Sequence, residues 1–378
     1  QVELRIHLSS QSSFVMPIVA ICVLAVAFLA ATARPVPLVI DTDIGGGGCM
    51  DVDDVGALCM THALADRGEV ELLAVVQDTS PRQLAGAISV INHYYGRDHV
   101  PIGAYRGADL SASAPVLPYV AELVKNWTSP IKDTSQVKSA VEVYRRVLSA
   151  QPDHSVVISS IGLLTNLAAL FRSGPDQHSL LSGRELVARK VKLITVMGGE
   201  YPSSGNRPQG CNFCGCVFGD DKASALTAAS AAAYVISSIP SKVKVIYSGG
   251  SVGGPVRTGG TLPTCASSHN PCRQAYASYL AKPPNSPPSK TRPSWDLLTT
   301  LVAVRGAAAV GCAECTDCNG VNFVDARSGA NIWMSGAPSN QTYLVLKDAG
   351  FAQATIERLL CQPPEREQSL LNDVVVYS

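Results

Sequence analysis

Short apolar runs alternate along the chain with segments in which apolar residues recur every three or four positions. The first run, Leu38-Val39-Ile40, is followed by a glycine-rich turn and by 55–58, which begins a helical pattern. The same order returns several times, and this repetition predicts a parallel sheet built from βαβ units. Further strands are predicted at 70–76, 155–159, 192–199 and 242–247, and helices at 81–95, 135–148, 161–170, 223–232, 293–305 and 351–360.

Several segments carry more local signals. The helix predicted at 135–148 is amphipathic, with Asp133 or Thr134 as its cap, and Ser294 is the expected cap of a later helix. Alternation over 320–346 predicts a hairpin, and the Pro- and Ser-rich stretch 263–293 predicts an insertion or lid. No boundary divides residues 35–378. We therefore expect one α/β domain with a mostly parallel, Rossmann-type central sheet flanked by helices.

Five aspartates fall within fourteen residues at the first strand-to-helix turn. Open α/β sheets bind their ligands at this edge. Like charges in a partly dry site repel one another by several kcal/mol unless a cation or protons neutralise them. With no His or thiolate pair nearby, the oxygen donors favour Ca²⁺ or Mg²⁺ over zinc, and a metal-free cluster of caps and turns is the alternative. The aspartates are Asp41, Asp43, Asp51, Asp53 and Asp54.

Two familiar loops do not fit this turn. Counting from Asp41, the twelfth position of an EF-hand would be Val52 and not a bidentate Glu. No Lys-Ser or Lys-Thr follows the glycines, as a phosphate-binding loop requires. The chain holds 30 Lys plus Arg and 30 Asp plus Glu, and this balance argues against a nucleic-acid polymer as partner.

The N-terminal part predicts export. Residues 16–33 are uncharged and apolar and end in Ala31-Thr32-Ala33, so 1–34 is expected to be a cleaved signal peptide or, alternatively, an uncleaved membrane anchor. The protein would then be secreted or lie in an endomembrane lumen. Of the twelve cysteines, Cys22 lies in this apolar segment, and the other eleven, an odd number, are expected to be used in disulfides rather than zinc sites. Asn126 and Asn340 begin glycosylation sequons.

Several motifs across the chain resemble the inosine-uridine nucleoside hydrolase family. Membership implies a single α/β domain, a Ca²⁺ at the strand ends, and hydrolysis of the N-glycosidic bond of ribonucleosides to free base and ribose. The implied partner is a small-molecule nucleoside, and homo-oligomers are compatible with it. The motifs are Asp-Thr-Asp-Ile-Gly at 41–45, Asp-Val-Asp-Asp at 51–54, Leu-Thr-Asn at 164–166, Met-Gly-Gly at 197–199, Gly-Asn at 205–206, Asn-Phe at 212–213 and Trp-Asp at 295–296.

The resemblance also implies individual roles. Asp43 resembles the general base, which would take a proton from water as the water attacks the sugar carbon. Trp295 resembles the aromatic platform of purine-preferring members. The implied metal ligands are Asp43, Asp54, Asp296 and Thr165, the last through its backbone carbonyl; the implied substrate contacts are Asp53, Met197, Asn206, Asn212 and Trp295.

The chain departs from the family pattern inside the site. The Gly46–Met50 stretch is an insertion, which leaves open whether Asp51 or Asp53 contacts the ribose. Gly210 stands where the family usually has Glu, and Asp78 follows Gln77 where the family has Gly-Asn. A non-catalytic protein that binds ribose or nucleosides on the same fold is therefore the alternative. A third hypothesis, a dehalogenase-type phosphatase with Asp41 as nucleophile, fits the glycine run poorly.

Overall fold

The structure is a computed structural model that describes residues 34–46, 48, 50–110, 116–203, 212–213, 221–282, 287–336 and 338–365. Within these residues, no helix has the length and apolar character needed to cross a membrane. Some predictions lie outside the described residues. These are the apolar segment 16–33, the ribose contact Asn206, the departure at Gly210 and the cysteines Cys211, Cys214 and Cys216.

Strands and helices alternate along most of the chain. The strands are β1 Val36–Thr42, β2 Val70–Gln77, β3 Ile102–Ala104, β4 Lys138–Ser139, β5 Val156–Ser160, β6 Val191–Met197, β7 Lys244–Ser248, β8 Arg257–Thr258, β9 Arg292–Pro293, β10 Cys312–Glu314, β11 Gly320–Val324, β12 Asn331–Ser335 and β13 Gln341–Leu346. The helices are α1 Asp53–Asp66, α2 Leu84–Tyr94, α3 Pro118–Asn126, α4 Ala140–Ala150, α5 Thr165–Arg172, α6 Gly183–Lys190, α7 Lys222–Ser238, α8 Gly250–Gly253, α9 Leu262–Cys265, α10 Pro271–Ala281, α11 Trp295–Arg305 and α12 Ala349–Leu360.

The described strands form one large sheet in the order β10-β13-β7-β6-β5-β1-β2-β3-β4. Neighbouring strands pair in parallel except β10 and β13, which are antiparallel. β1 lies between β2 and β5, and helices cover both faces of the sheet, so its apolar residues Leu38, Val39 and Ile40 are fully buried. Apolar side chains of α1, α2, α3, α10, α11 and α12 form the core on one face, and those of α4 to α7 form it on the other. The predicted α/β class with a mostly parallel, helix-flanked sheet is confirmed.

The helix predicted at 135–148 begins later than expected. It starts at Ala140, and the Ser139 hydroxyl accepts a hydrogen bond from the Glu142 amide at 3.1 Å. Residues 138–139 pair with β3 instead, and Asp133 caps a short 3₁₀ turn at Thr134–Gln136. The predicted cap at Asp133 or Thr134 was wrong, because residues 138–139 pair with a distant strand and are therefore extended, although their sequence pattern is helical.

Two further element predictions, the cap at Ser294 and the hairpin at 320–346, need adjustment. Ser294 occupies the N-cap position of α11, but its side chain makes no cap bond and lies 2.6 Å from the Thr258 hydroxyl instead. The hairpin expected at 320–346 is present as β11 and β12, whereas β13 leaves it and joins the main sheet beside β7. Part of the segment expected to be an insertion or lid forms α10, whose Cys272 and Tyr276 are buried in the core.

Two of the three disulfides among the described residues connect cysteines that are distant in the sequence. Cys59 of α1 pairs with Cys272 of α10, and Cys265 pairs with Cys361. A third disulfide joins Cys315 and Cys318, while Cys312 is a buried free thiol. The predicted use of cysteines in disulfides is confirmed for these three pairs, and neither Cys265 nor Cys272 bonds to the other.

Candidate active site

The first turn after β1 brings the acidic residues to the carboxyl edge of the sheet. The chain turns at Ile44 and Gly45, where Gly45 has a positive φ of 71° and the Gly46 amide donates to the Asp43 carbonyl at 3.0 Å. A side chain at Gly45 would meet Val120, so both the backbone conformation and the close packing require glycine here. The strand end and the start of α1 therefore face the same space.

Three buried carboxylates meet in that space. Asp53 and Asp54 begin α1, Asp296 lies in the first turn of α11, and each offers an oxygen within 4.8 Å of the others. We call these three residues the carboxylate cluster. The Asp296 amide donates to Asp53 Oδ2 at 3.2 Å, and Thr42 Oγ1 donates to Asp54 Oδ1 at 2.5 Å. Two helix starts that are remote in the sequence thus supply one set of oxygen donors.

The electrostatics of the carboxylate cluster favour its neutralisation by a cation or by protons. Burial is the largest cause that raises the pKa of each of its three carboxyls well above the usual range, and repulsion from neighbouring aspartates adds to it. A hard divalent ion coordinated by oxygen donors would remove both penalties. The donor set therefore fits a metal ion, which agrees with the cation site expected from the sequence.

Asp43 lies beside the carboxylate cluster and is not one of its three members. It is almost fully buried, and its charge raises the pKa of both Asp54 and Asp296, after burial. Gly48, from the inserted stretch, lies directly against the Asp43 carboxylate, where a side chain would not fit. The inserted residues thus reach the predicted general base itself.

Asp41 is engaged inside the protein rather than at the site. Its two carboxyl oxygens accept hydrogen bonds from Tyr144 and Asn166, each at 2.8 Å, and it is fully buried. Burial raises the pKa of Asp41 to about 7, although these hydrogen bonds oppose the shift. A nucleophile must reach its substrate, so this arrangement speaks against the phosphatase hypothesis.

Asp78 is a carboxylate at this edge to which the motif comparison assigned no role. It directly follows β2, as Asp43 follows β1, and it is fully buried beside Gly162. Burial and then the charge of Asp41 raise its pKa well above the usual range. The sequence signal was present, because the ends of adjacent parallel strands meet at one edge. Asp78 also meets α5, since Thr165 Oγ1 donates to its carbonyl at 2.5 Å.

The remaining predicted contacts lie at the ends of β5 and β6. Asn212 has a positive φ of 75°, and its Nδ2 donates to the carbonyls of Ile161 at 2.9 Å and Met197 at 3.1 Å. Its buried Oδ1 has no hydrogen-bond partner among the described residues. Met197 ends β6 and is 7% exposed. Both side chains lie at the edge that holds the acids.

Trp295 is fixed at the start of α11. Its indole nitrogen donates to the Gly250 carbonyl at 2.8 Å, and Gly253 packs directly against it. The Arg292 guanidinium lies 5.3 Å from the ring centre and forms an ion pair with Asp51. Asp51 is thus occupied by an arginine and lies outside the carboxylate cluster, whereas Asp53 lies within it.

Residues 38–214 match the family model of the inosine-uridine preferring nucleoside hydrolases. The matched segment belongs to this family. Nucleoside hydrolases are N-glycosidases, so the protein is an enzyme that acts on ribonucleosides. The matched range contains most of the first strand, α1 and the ends of β2, β5 and β6, and it ends before α11 adds Asp296. A search of curated proteins found no match.

Solved structures with the same fold include several nucleoside hydrolases. A plant nucleoside hydrolase, PpNRh1, is 17% identical with a TM-score of 0.61, and the match covers 87% of this chain and 100% of that one. The inosine-uridine preferring enzyme from Bacillus anthracis is 16% identical, with a TM-score of 0.57 and coverage of 86% and 99%. The type III effector XopQ, solved with adenosine diphosphate ribose, is 14% identical, with a TM-score of 0.60 and coverage of 87% and 94%.

Proposed function

We propose that this nucleoside hydrolase is calcium-dependent and that Asp43 activates the attacking water. The observation that carries the proposal is the buried carboxylate cluster, whose three oxygen donors come from two helix starts at the carboxyl edge of the sheet. When bound, Ca²⁺ would supply Lewis-acid chemistry and a template for the ribose hydroxyls. Asp53, Asp54 and Asp296 would hold the ion, and the Thr165 carbonyl is proposed as a further ligand.

The chain's own residues would perform the remaining work. Asp43, buried beside the carboxylate cluster, would take the proton from water as the water attacks the sugar carbon. The acidic surroundings favour the positive charge that develops on the sugar in an oxocarbenium-like transition state. Asn212 Oδ1 is proposed to accept a hydrogen bond from a ribose hydroxyl, because it is buried and has no partner among the described residues.

We assign the ribose-binding role to Asp53 rather than Asp51. Asp53 is in the carboxylate cluster and would therefore lie next to the bound ion and the sugar, whereas Asp51 is engaged by Arg292. Met197 is proposed to form a wall of the sugar pocket, and Trp295 a platform for the base. Stacking on an aromatic ring contributes about 0.5 to 1.5 kcal/mol beyond buried area.

The test is the release of free base and ribose from inosine and uridine by the purified protein. We expect chelation to abolish the release, and Asp43→Ala to lower kcat by about 10²- to 10⁴-fold, the range of general-base catalysis. Asp153→Asn is the control: Asp153 is an exposed carboxylate outside the carboxylate cluster, and its replacement should leave full activity. Absence of release from every ribonucleoside in a panel would refute the proposal, as would an Asp43→Ala variant with unchanged kcat.

A second candidate is a protein that binds nucleosides or ribose without hydrolysing them. It is favoured by one observation, the packing of the inserted Gly48 against the Asp43 carboxylate. Calorimetry that shows calcium-dependent binding of ribose, together with no release of base after long incubation, would select this candidate over the enzyme.

We also propose that the protein is exported and glycosylated. The three disulfides among the described residues suit an oxidising compartment, and Asn126 and Asn340 are both exposed. Expression in a eukaryotic secretory host followed by mass spectrometry tests this proposal. We expect secreted protein that lacks the apolar N-terminal segment and carries glycan at one or both asparagines, and retention of the protein inside the cell would contradict it.

A further inference from the structure

The two segments that carry the carboxylate cluster are joined by a second, polar contact outside it. Asp51 lies two residues before Asp53, and Arg292 lies four residues before Asp296. Arg292 Nε donates to both carboxyl oxygens of Asp51, at 2.8 and 2.9 Å, and Arg292 Nη2 donates to Asp51 Oδ2 as well. The two residues are 241 positions apart in the sequence, so this contact exists only in the folded protein.

Both partners of this ion pair are held in place. The Asp51 carboxylate also accepts the Val52 amide at 2.7 Å, and the Asp51 carbonyl accepts the Tyr119 hydroxyl at 2.7 Å. The Arg292 guanidinium lies 5.3 Å from the ring centre of Tyr279 and 5.3 Å from that of Trp295. The Asp51 side chain is only 9% exposed and that of Arg292 only 21%. A pair with bidentate geometry, restrained on both sides, fixes a distance in a way that a mobile surface pair does not.

We propose that Asp51 and Arg292 form a clamp that sets the spacing between the start of α1 and the start of α11, and so shapes the carboxylate cluster to hold a divalent cation. The proposal rests on the proposed calcium dependence. Asp53 and Asp54 sit on one side of the clamp and Asp296 on the other. Neither clamp residue is a ligand in this assignment, and both act through the residues that follow them, as partners of metal ligands do elsewhere.

The clamp also gives the inserted stretch a role. Met50 and Asp51 lie where this stretch meets α1, and the Tyr279 hydroxyl donates to the Met50 carbonyl at 3.3 Å. Tyr279 belongs to α10, whose Cys272 is bonded to Cys59 of α1. The end of the inserted stretch is thus tied to α10 as well as to Arg292. Without these contacts, the longer loop would leave the proposed metal ligands at the start of α1 less restrained.

A purely electrostatic role for Arg292 predicts the opposite effect on metal binding. Arg292 is close enough to the carboxylate cluster for its charge to lower the pKa of Asp53, against the larger upward effects of burial and of the neighbouring aspartates. A cation so close repels a divalent ion, and removing it by Arg292→Met should tighten calcium binding if charge alone matters. If the clamp positions the ligands, the same variant should weaken binding. The sign of the change distinguishes the two roles.

The experiment measures Ca²⁺ binding to the full chain by calorimetry. We expect Arg292→Met and Asp51→Asn each to raise the Kd for Ca²⁺ by about 10- to 100-fold, the usual effect of losing a partner of a metal ligand. Arg292→Lys should lie between wild type and Arg292→Met, because lysine keeps the charge without the bidentate geometry. Arg257→Met is the matched control: Arg257 lies on the adjacent β8, is exposed, bonds to Thr291 rather than to a carboxylate, and should leave the Kd unchanged.

The dependence of kcat on Ca²⁺ concentration distinguishes a loss of metal binding from a general loss of structure. A clamp that acts only on metal binding predicts that saturating Ca²⁺ restores kcat of Arg292→Met to within about threefold of wild type. Tighter or unchanged Ca²⁺ binding in Arg292→Met overturns the clamp, and so does a kcat that saturating Ca²⁺ fails to restore. If Arg292→Met is unfolded at the assay temperature, Arg292→Lys decides, and wild-type affinity in that variant overturns the clamp.

The outcome for the wild-type chain separates this inference from the proposed function. If the wild-type chain binds no Ca²⁺, the calcium dependence is refuted and the clamp falls with it. If the wild-type chain binds Ca²⁺ and both clamp variants bind it equally well, only the clamp is refuted.

Discussion

The different contacts of Asp51 and Asp53 show that a residue's surroundings in the folded protein decide its role. Asp51 and Asp53 are separated by one residue and are chemically identical, so the local sequence leaves their roles open. In the folded chain Asp51 meets Arg292, whereas Asp53 meets Asp54 and Asp296. The difference arises from partners about 240 residues away in the sequence. The clustering of acids at this edge could be predicted from the sequence, but which partners each carboxylate meets could not.

The buried side chain of His62 allows a test of how burial changes a pKa and, through it, stability. It is fully buried in α1, stacks on Tyr95, and its Nε2 lies 2.9 Å from Asn92 Oδ1. Burial, followed by the charge of Arg97, lowers the pKa of His62 to about 3, whereas the usual value is 6.5. The unfolded chain therefore binds a proton more readily than the folded protein. Stability from this residue is fully present above pH 6.5 and is lost as the pH falls toward 3.

We predict that His62→Gln flattens the dependence of stability on pH between about 6.5 and 4. In the wild type, His62 should contribute a slope of up to about 1.4 kcal/mol per pH unit in this window. Urea unfolding at several pH values measures the slope. The exposed His269→Gln is the control and should keep the wild-type slope. An unchanged slope in His62→Gln would show that the buried histidine is protonated in the folded state.

The sequence predicts a helix or strand correctly where the local pattern of apolar residues is enough to define it. The apolar run of β1 and the amphipathic helices bury residues at the expected spacing, and the strands at 70–76 and 155–159 were found within about two residues. The start of α4 was missed, because residues 138–139 are recruited by β3. Cysteine pairing was also beyond reach, since Cys59 and Cys272 are brought together only by the packing of α10 on α1.

The disulfides should differ in their effect on stability according to the length of chain that each one closes. Cys59 and Cys272 are 213 residues apart, whereas Cys315 and Cys318 are 3 apart. By loop-closure entropy, Cys59→Ala with Cys272→Ala should lower the free energy of unfolding by about 5 kcal/mol, and Cys315→Ala with Cys318→Ala by about 2 kcal/mol. Guanidinium unfolding of both double variants measures the difference. Equal losses would show that the long-range disulfide does not restrain the unfolded chain.

At the scale of the whole molecule, the sheet order explains why the acidic residues gather at one edge. β1 lies near the middle of the sheet, and the neighbouring β2 and β5 end beside it. Asp43, Asp78 and the start of α5 therefore share one edge, and α11 completes the site from a distant part of the chain. Burying these acids together costs free energy in the absence of a cation, because burial and mutual repulsion both oppose their ionisation.

Calcium should therefore stabilise the whole protein. Ca²⁺ at 100 times its Kd contributes about 2.7 kcal/mol to a protein that binds it only when folded, and we expect the unfolding midpoint to rise by about 5 °C. Differential scanning calorimetry with and without a chelator measures the shift. Asp54→Asn serves as the control and should show no shift with Ca²⁺. A wild-type midpoint that is insensitive to millimolar Ca²⁺ would contradict a structural link between the ion and the carboxylate cluster.

The sequence by itself determined the class of fold, the strand-to-helix turn that holds the acids and the family resemblance, because apolar periodicity and short motifs are local properties of the chain. Only the tertiary structure decided which carboxylates meet, that Asp78 belongs to the same edge and that Asp51 is held by Arg292. The physical reason is that burial and charge pairing depend on distance in space, and the residues concerned are brought together by the order of the strands and the packing of α11 against α1.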